Sequence, residues 1–229
     1  MRKISTGCGC LDDNLAGGIS QENITLVYGE AETGKSTLAM QCAINCALQN
    51  LKTLYVDCDG TFSAKRLSQL AREKFDEVSE LIVLVKPEDF REQTAFIDHF
   101  AAYLNHKVGL VVFDTVTSLY RAKVAEVEGK AFGLNRELNR QLALIAQAVK
   151  IKKIPVLLTS QVRSVLDETA TVEPVGTRVL KFWADTIIAM KPLENPQTVN
   201  AVIEKPKAEP EVVCQLRIDL SGIHDYPFQ

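Results

Sequence analysis

GEAETGKST, residues 29–37, follows the apolar run ITLVY at residues 24–28 and precedes a long apolar stretch without Gly or Pro. The quoted stretch fits the phosphate-loop pattern G-x-x-x-x-G-K-[ST]. A strand must lead into such a loop and a helix must lead out of it, because backbone N–H groups and the positive end of the helix point at phosphate oxygens. The sequence therefore predicts a nucleotide-binding strand, loop and helix. The alternative is an ordinary Gly-Lys turn before a helix.

ATP and Mg²⁺ are the predicted cofactors of this loop. Lys35 is expected to neutralise the β- and γ-phosphates and so to act in catalysis, and the Ser36 hydroxyl is expected to bind Mg²⁺. The two glycines allow backbone conformations and a close approach that a β-carbon would block. The predicted nucleotide-binding residues are Gly29, Glu30, Ala31, Glu32, Thr33, Gly34, Lys35, Ser36 and Thr37.

Apolar segments of strand length alternate with helical segments along the chain. The predicted strands are 24–28, 53–57, 81–85, 109–114 and 154–159, and the predicted helices are 36–49, 62–74, 89–105 and 130–152. Continuous rather than alternating apolar strands indicate burial on both faces, as in a parallel sheet covered by helices. Later β-like segments, at 185–190, 199–204 and 212–219, are expected to add antiparallel strands. The predicted fold class is α/β, with a mostly parallel central sheet.

Polar residues at the ends of other predicted strands are candidates to complete the site. Asp114 closes the strand VVFD and is predicted to hold Mg²⁺, although a strand-ending Asp can also cap a turn. Asp59 is the candidate base that orients the attacking water, and Asp57 competes with it. Gln161 is predicted to sense the γ-phosphate, or else to bond loop backbone. Since carboxyl ends of parallel strands share one edge, these residues are expected to converge there.

Composition limits the class of protein. The chain has 229 residues, 46% hydrophobic and 24% charged, with a formal net charge of −3. These values are typical of a soluble globular protein, here expected to be one domain over residues 1–229. The acidic balance argues against a surface built throughout for nucleic acid but allows a local basic strip.

No apolar segment is long enough for a signal sequence or a membrane span, so we expect a cytoplasmic protein without membrane contact. In that compartment the six cysteines are interpreted as reduced thiols.

A basic cluster, Lys150, Lys152 and Lys153, ends the last predicted helix. Its cations complement the helix dipole, and a DNA contact is the alternative interpretation.

Several motifs together resemble the RecA/RadA recombinases. Besides the phosphate loop they are ISTGC at 4–8, VDCDGTF at 56–62, VVFDTVTSLYR at 111–121 and LLTSQV at 157–162. The matches span residues 4 to 163 and continue more weakly to the end; they are closest to the archaeal paralogues of RadA that consist of the ATPase core alone. The resemblance implies a RecA-type P-loop core, ATP, Mg²⁺, DNA binding and a role in recombination and repair.

The chain differs from RadA in two respects. The N-terminal helical domain and the linker with the Phe-x-x-Ala polymerisation motif are not found in it, so filaments are not expected to form in the usual way. Where the recombinases carry a catalytic Glu, this chain has Asp59, whose carboxylate is withdrawn by about 1.2 to 1.5 Å. A base must lie about 2.6 to 3.2 Å from its proton donor. We therefore expect firm ATP binding and a weak, DNA-dependent ATPase.

In the recombinases, the loops after the metal-binding strand and after the Gln strand carry DNA, and they correspond to about 120–131 and 162–181 here. The implied DNA-binding residues are Arg121, Lys123, Lys130, Arg163, Arg178 and Lys181. Lys205 and Lys207 resemble a Lys-x-Lys pair that reaches the ATP of a neighbouring subunit, and an exposed basic turn is the alternative. Implied partners are DNA, mainly single-stranded, a RadA-type recombinase, a Holliday junction resolvase and a second copy in a homodimer.

Two other functions fit the same motifs. One is a signalling ATPase of the KaiC group, whose core shares them but whose target is protein. The other is a structural mediator in which ATP acts as a folding ligand without significant hydrolysis.

Overall fold

The computed structural model describes residues 3–127, 131–163, 173–174 and 176–226. The first elements along the chain are β1 (Lys3–Ile4), α1 (Gly9–Asn14), β2 (Ile19–Ser20), β3 (Ile24–Gly29), α2 (Lys35–Ala47), β4 (Lys52–Asp57), α3 (Ala64–Ala71), α4 (Phe75–Ser79) and β5 (Ile82–Val85). The next are α5 (Phe90–Asp98), α6 (Phe100–Tyr103), β6 (Val108–Asp114), α7 (Ser118–Glu126), α8 (Ala131–Lys152) and β7 (Val156–Arg163). The last are β8 (Glu173–Pro174), α9 (Thr177–Trp183), β9 (Thr186–Pro192), β10 (Thr198–Lys205), β11 (Val212–Asp219) and β12 (Gly222–Asp225).

The main sheet has the strand order β12-β11-β10-β9-β3-β7-β6-β4-β5. Strand β3 pairs in parallel with both β7 and β9, and β6 pairs in parallel with both β7 and β4. Strands β9 to β12 pair antiparallel with one another and extend the sheet beyond the parallel part. The predicted α/β fold with C-terminal antiparallel strands is confirmed.

Residues of the central strands alternate between two hydrophobic clusters, one on each face. Val111 and Phe113 pack with residues of α5 to α9, whereas Leu110 and Val112 pack with residues of α1 and α2. Burial of both faces explains why these strands are continuously apolar. The edge strand differs, because Val83 and Leu84 of β5 are 42% and 46% exposed. Burial on both faces is therefore a wrong prediction for the segment 81–85.

Two segments predicted as DNA-binding loops contain regular structure. The first, 120–131, is helical over most of its described part, because α7 runs from Ser118 to Glu126. The second, 162–181, includes the end of β7, the strand β8 and most of α9. Tyr120 of α7 is buried, and its ring packs against Phe90. This contact gives the helix a buried side, which is hard to recognise in the sequence because the helix is short.

A disulfide joins Cys10 of α1 to Cys214 of β11, with a Cα–Cα distance of 5.8 Å. The prediction of reduced thiols is therefore wrong for this pair, while Cys8, Cys42, Cys46 and Cys58 are buried and form no disulfide. The backbone N–H groups of Gly9 and Cys10 also donate to the Asp225 carboxylate, at 2.7 and 3.1 Å. Helix α1 is thus fixed to the β11–β12 hairpin, a contact between residues far apart in sequence.

No helix in the described part of the chain combines the length and apolar character needed to cross a membrane.

Candidate nucleotide-binding site

Two glycines of the phosphate loop are required by its geometry. Gly34 precedes α2 with φ of 84°, and a β-carbon on it would lie 2.8 Å from Ile218 Cδ1 and 2.9 Å from Ile223 Cδ1. A β-carbon on Gly29 would lie 2.4 Å from the carbonyl oxygen of Met190. The left-handed conformation and the close packing both exclude a side chain here. The loop therefore passes tightly between α2, the β11–β12 hairpin and β9.

Lys35, the first residue of α2, is buried within the loop and is only 7% exposed. Its ammonium donates hydrogen bonds to the Glu30 carbonyl oxygen and, at 3.3 Å, to Thr33 Oγ1. Burial lowers the pKa of Lys35 to about 8, against the opposing effect of the nearby Asp114, Asp59 and Glu30 carboxylates. A desolvated ammonium within a phosphate loop is suited to bind a phosphate group.

Asp114 lies at the end of β6 and is 2% exposed. Its Oδ1 accepts hydrogen bonds from Ser36 Oγ at 3.1 Å and Thr159 Oγ1 at 2.5 Å, and its Oδ2 accepts one from Tyr55 OH at 2.7 Å. Burial raises the pKa of Asp114, and these three hydrogen bonds act against that rise. The carboxylate and the Ser36 hydroxyl supply adjacent oxygen ligands, which is the donor type that Mg²⁺ takes beside phosphates.

The two competing aspartates after β4 have different environments. Asp57 is 2% exposed and accepts hydrogen bonds from the backbone N–H groups of Thr61 and Phe62, both at 3.1 Å. Asp59 is exposed, and its Oδ2 accepts a hydrogen bond from Thr115 Oγ1 at 3.0 Å. Asp57 therefore fixes the turn after the strand, and Asp59 is the carboxylate that faces the site.

The predicted residues converge at one edge of the sheet. In the register of the sheet, Gln161 lies opposite Gly29 and Asp57 lies opposite Asp114. The backbone N–H of Cys58 donates to the Asp114 carbonyl oxygen at 2.8 Å, which holds the segment with Asp59 beside the end of β6. Strand ends, phosphate loop and Ser36 thus surround a common space.

The basic residues predicted to contact DNA are only partly described. Arg121 and Lys123 lie on α7, and Lys123 forms an ion pair with Glu126 at 2.7 Å. Lys130 lies outside the described residues, as do the side chains of Arg163 and Arg178.

Lys181 is bound within the protein. Its ammonium donates to Glu204 Oε2 at 3.1 Å and to Tyr28 OH at 3.3 Å, and it lies 5.0 Å from the centre of the Tyr28 ring. Tyr28 OH in turn donates to Glu204 Oε1 at 2.6 Å. In this arrangement the charge of Lys181 is already compensated.

The two lysines predicted to reach a neighbouring subunit lie at the end of β10. Lys205 donates a hydrogen bond to the Ala184 carbonyl oxygen, and Lys207 is exposed. Both line an open cleft of about 740 Å³ that also includes Lys181.

Three residues that hold the site together were missed in the sequence. Tyr55, Thr159 and Thr115 hydrogen-bond the two acidic side chains of the site. Each lies at or near the carboxyl end of a buried strand, where a polar residue inside an apolar run is the signal that could have identified it.

A parallel sheet whose central strand leads into this loop, with an aspartate on a neighbouring strand bonded to the loop serine, defines a P-loop nucleotide-binding protein. Residues 1–226 match the Rad51 family model. The chain is 34% identical over 227 residues to the DNA repair and recombination protein RadB of Thermococcus onnurineus (strain NA1), covering 97% of each chain. It is also 34% identical to RadB of Thermococcus kodakarensis, covering 97% of this chain and 99% of that one.

A crystal structure of the RadB recombinase superposes with a TM-score of 0.82 at 33% identity, over 98% of this chain and 100% of that one. The chain therefore belongs to the Rad51 family, in the group of DNA repair and recombination proteins named RadB. The resemblance inferred from the sequence motifs is confirmed.

Proposed function

We propose that this chain is a single ATPase-core domain that binds ATP, Mg²⁺ and DNA, hydrolyses ATP slowly, and assists a RadA-type recombinase in repair. The observation that carries the proposal is the hydrogen bond between Ser36 and Asp114 beside Lys35, next to a carboxylate shorter than the one the recombinases use. The group of Lys35, Ser36 and Asp114 favours ATP binding, and the shorter carboxylate of Asp59 limits the rate of hydrolysis.

Each residue of the phosphate loop has a proposed role in binding. Backbone N–H groups of residues 29–37 surround the phosphates, and the Lys35 ammonium neutralises the β- and γ-phosphates. Ser36 and Asp114 would hold Mg²⁺, which would supply positive charge beside the phosphates. Because Asp114 is buried and held by three hydroxyl groups, its position is fixed before the ligand binds.

The slow turnover is proposed to follow from Asp59. Thr115 Oγ1 holds this carboxylate at 3.0 Å, and the buried Asp57 cannot replace it because its two oxygens accept backbone N–H groups. An Asp at the position of a Glu lies about 1.2 to 1.5 Å short of the attacking water. General-base catalysis contributes about 10² to 10⁴ to a rate, so a misplaced base loses much of that factor.

DNA contact is proposed through Arg121, Lys123, Lys130, Arg163, Arg178 and Lys181. The edge at the carboxyl ends of the parallel strands, where the phosphate loop lies, is called the nucleotide edge. Gln161 lies near the carboxyl end of β7, before the segment that carries some of these residues, so it can connect the γ-phosphate to DNA affinity. Mainly phosphate contacts are expected, since lysine charges contact the backbone without selecting bases. The names of the relatives, DNA repair and recombination proteins, support this part of the proposal.

The proposed protein partners rest on the likeness to RadA paralogues. They are a RadA-type recombinase, other recombination proteins such as a Holliday junction resolvase, and a second copy of this chain in a homodimer. In the homodimer, the exposed Lys207, with Lys205 beside it, would contact the nucleotide of the partner copy.

The rate of ATP hydrolysis with single-stranded DNA present tests the proposal. Wild-type turnover should be slow, and Asp59→Glu should raise it at least about tenfold, because the longer side chain returns the base to its working distance. Asp76→Glu, on the exposed side of α4, is the matched control and should have no effect. A wild-type rate equal to that of a full-length recombinase, or no gain in Asp59→Glu, would contradict the proposal.

A further inference from the structure

A second basic surface lies at the amino ends of the parallel strands, on the edge of the sheet opposite the phosphate loop. An open cleft of about 730 Å³ separates the chain before β6 from the end of α8. Its polar lining consists of Gln21, Asn105, His106, Lys152 and Lys153, and none of its lining residues is acidic. The cleft therefore has a positive lining in a chain whose acidic residues outnumber its Lys and Arg, 29 to 26.

Two further lysines extend this surface. Lys107 directly follows His106, and the backbone N–H of Lys52 donates to the Lys107 carbonyl oxygen at 2.7 Å. Lys52 also lies opposite Val108 in the register of β4 and β6. We define Lys52, His106, Lys107 and Lys152, together with the cleft they border, as the basic cleft. All four side chains are exposed.

The cations around the end of α8 fall into two groups. Lys150 forms an ion pair with Asp185 at 3.6 Å, and Lys153 forms one with Glu22 at 3.3 Å. Among the described residues, the side chains of the four residues of the basic cleft form no ion pair and no hydrogen bond, although the backbone N–H of Lys107 donates to Asn105 Oδ1 at 2.9 Å. Attraction to the C-terminal carbonyls of α8 accounts for Lys152 alone, because Lys52 and Lys107 belong to other elements.

We propose that the basic cleft binds the phosphate backbone of a nucleic acid, as a second contact separate from the nucleotide edge. This inference rests on the proposed DNA-binding function. An acidic protein needs a local, uncompensated positive surface to bind DNA. Among the lysines predicted to contact DNA, Lys123 and Lys181 are paired with Glu126 and Glu204, whereas Lys52, Lys107 and Lys152 form no ion pair among the described residues.

The chemistry of the cleft favours backbone contact over base recognition. Lysines act as point charges without the fork that arginine offers to bases, and no Phe, Tyr, Trp or Arg residue is among the lining residues of the cleft. Strands of this sheet span about 20 Å, at about 3.3 Å per residue, so the two edges would hold different segments of nucleic acid. Binding should be independent of sequence and should weaken steeply with salt.

The test is a titration of labelled single-stranded and duplex oligonucleotides at several salt concentrations, with the variant Lys107→Gln/Lys152→Gln. Loss of two phosphate contacts should weaken binding about tenfold at low salt and reduce the log–log salt slope by about 1.4 for single strands. Lys65→Gln/Lys74→Gln removes the same charge from exposed positions on and after α3 and should stay within about twofold of the wild type. Lys107→Arg/Lys152→Arg should retain affinity, and ATP affinity should not change in any of these variants.

The outcomes separate this inference from the proposed function. If the wild type binds DNA and the Gln variant binds it with the same affinity and slope, the basic cleft is not a DNA site, and the proposed function stands. If the wild type binds no DNA, both fail. If the Gln variant loses binding of poly-glutamate but keeps DNA affinity, the cleft takes an acidic protein segment, and the inference is overturned.

Discussion

Charged side chains at the two edges of the sheet have different environments. At the nucleotide edge Lys35 and Asp114 are buried and hydrogen-bonded: the Lys35 ammonium donates to acceptors of the phosphate loop, and the Asp114 carboxylate accepts hydrogen bonds from three hydroxyl groups. At the opposite edge, Lys107 and Lys152 project into solvent without a partner in the described chain. A fixed, desolvated site gives selectivity for one ligand, whereas exposed charges give salt-sensitive attraction to any polyanion. Substitutions at the two edges should therefore differ in how strongly their effects on binding depend on salt.

The largest effect is expected from Lys35→Met. Removal of the buried ammonium should weaken ATP–Mg²⁺ binding about 10²- to 10³-fold, and by a similar factor at low and high salt because the site is shielded. The melting temperature without ATP should not fall, because burial lowers the pKa of Lys35 and its charge opposes folding at neutral pH. Nucleotide titration and thermal melting measure both quantities.

Lys65→Met is the control, since Lys65 is exposed on α3. If Lys35→Met unfolds the protein even without ATP, the residue has mainly a structural role.

Removal of the disulfide tests whether the phosphate loop depends on the attachment of α1 to the β11–β12 hairpin. Cys10→Ala should lower the free energy of unfolding by about 2 to 4 kcal/mol. ATP affinity should also fall, because Ile218 and Ile223 of the hairpin attached to α1 pack against Gly34. Chemical denaturation with and without a reducing agent measures the first effect.

In that experiment a reducing agent should bring the wild type down to the stability of Cys10→Ala and leave the variant unchanged. Equal stability of oxidised wild type and variant would show that the disulfide contributes little to holding the β11–β12 hairpin in place. DNA binding through the basic cleft should be the same in both, because the cleft lies at the other edge.

A smaller effect is expected from pH. Because the pKa of Lys35 is lowered to about 8, the ammonium of the free protein loses its proton above that pH, and ATP binding must restore it. ATP affinity should therefore be nearly constant from pH 6.5 to 7.5 and fall about tenfold between pH 7 and 9. Calorimetric titration of ATP–Mg²⁺ measures this, and Lys35→Arg should abolish the fall because guanidinium stays protonated. A wild-type affinity that does not change over this range would refute the assignment.

The smallest effect is expected from Glu204→Gln, which should release the charge of Lys181, one of the lysines predicted to contact DNA. The amide keeps an acceptor for Tyr28 OH but no longer neutralises Lys181, 3.1 Å away. Affinity for DNA at low salt should rise about threefold, since one more cation becomes available. Glu194→Gln, at an exposed position, should give a smaller gain. Equal gains in the two variants would mean that only net charge matters.

The phosphate loop was predictable because its pattern is local. Spacing alone gives Gly29, Gly34, Lys35 and Ser36, and the buried strand before the loop and the helix after it follow from the flanking apolar residues. The meeting of Asp114 with Ser36 was also predictable, because parallel strands place their carboxyl ends together.

Other features depended on contacts that the sequence does not show. The difference between Asp57 and Asp59 arises from the N–H groups of Thr61 and Phe62, which the turn brings to one of two similar carboxylates. An apolar run does not reveal whether its strand is central or at the edge, so the exposure of Val83 and Leu84 was missed. The roles of the basic loops stay predictions.

The disulfide between residues 10 and 214, separated by 204 positions, encloses nearly the whole chain in one covalent ring. A protease that cuts once inside this ring would leave two fragments that still migrate together in a denaturing gel until a reducing agent separates them. Non-reducing electrophoresis of nicked protein, with free thiols alkylated beforehand, would thus show what fraction of the chains carries this bond.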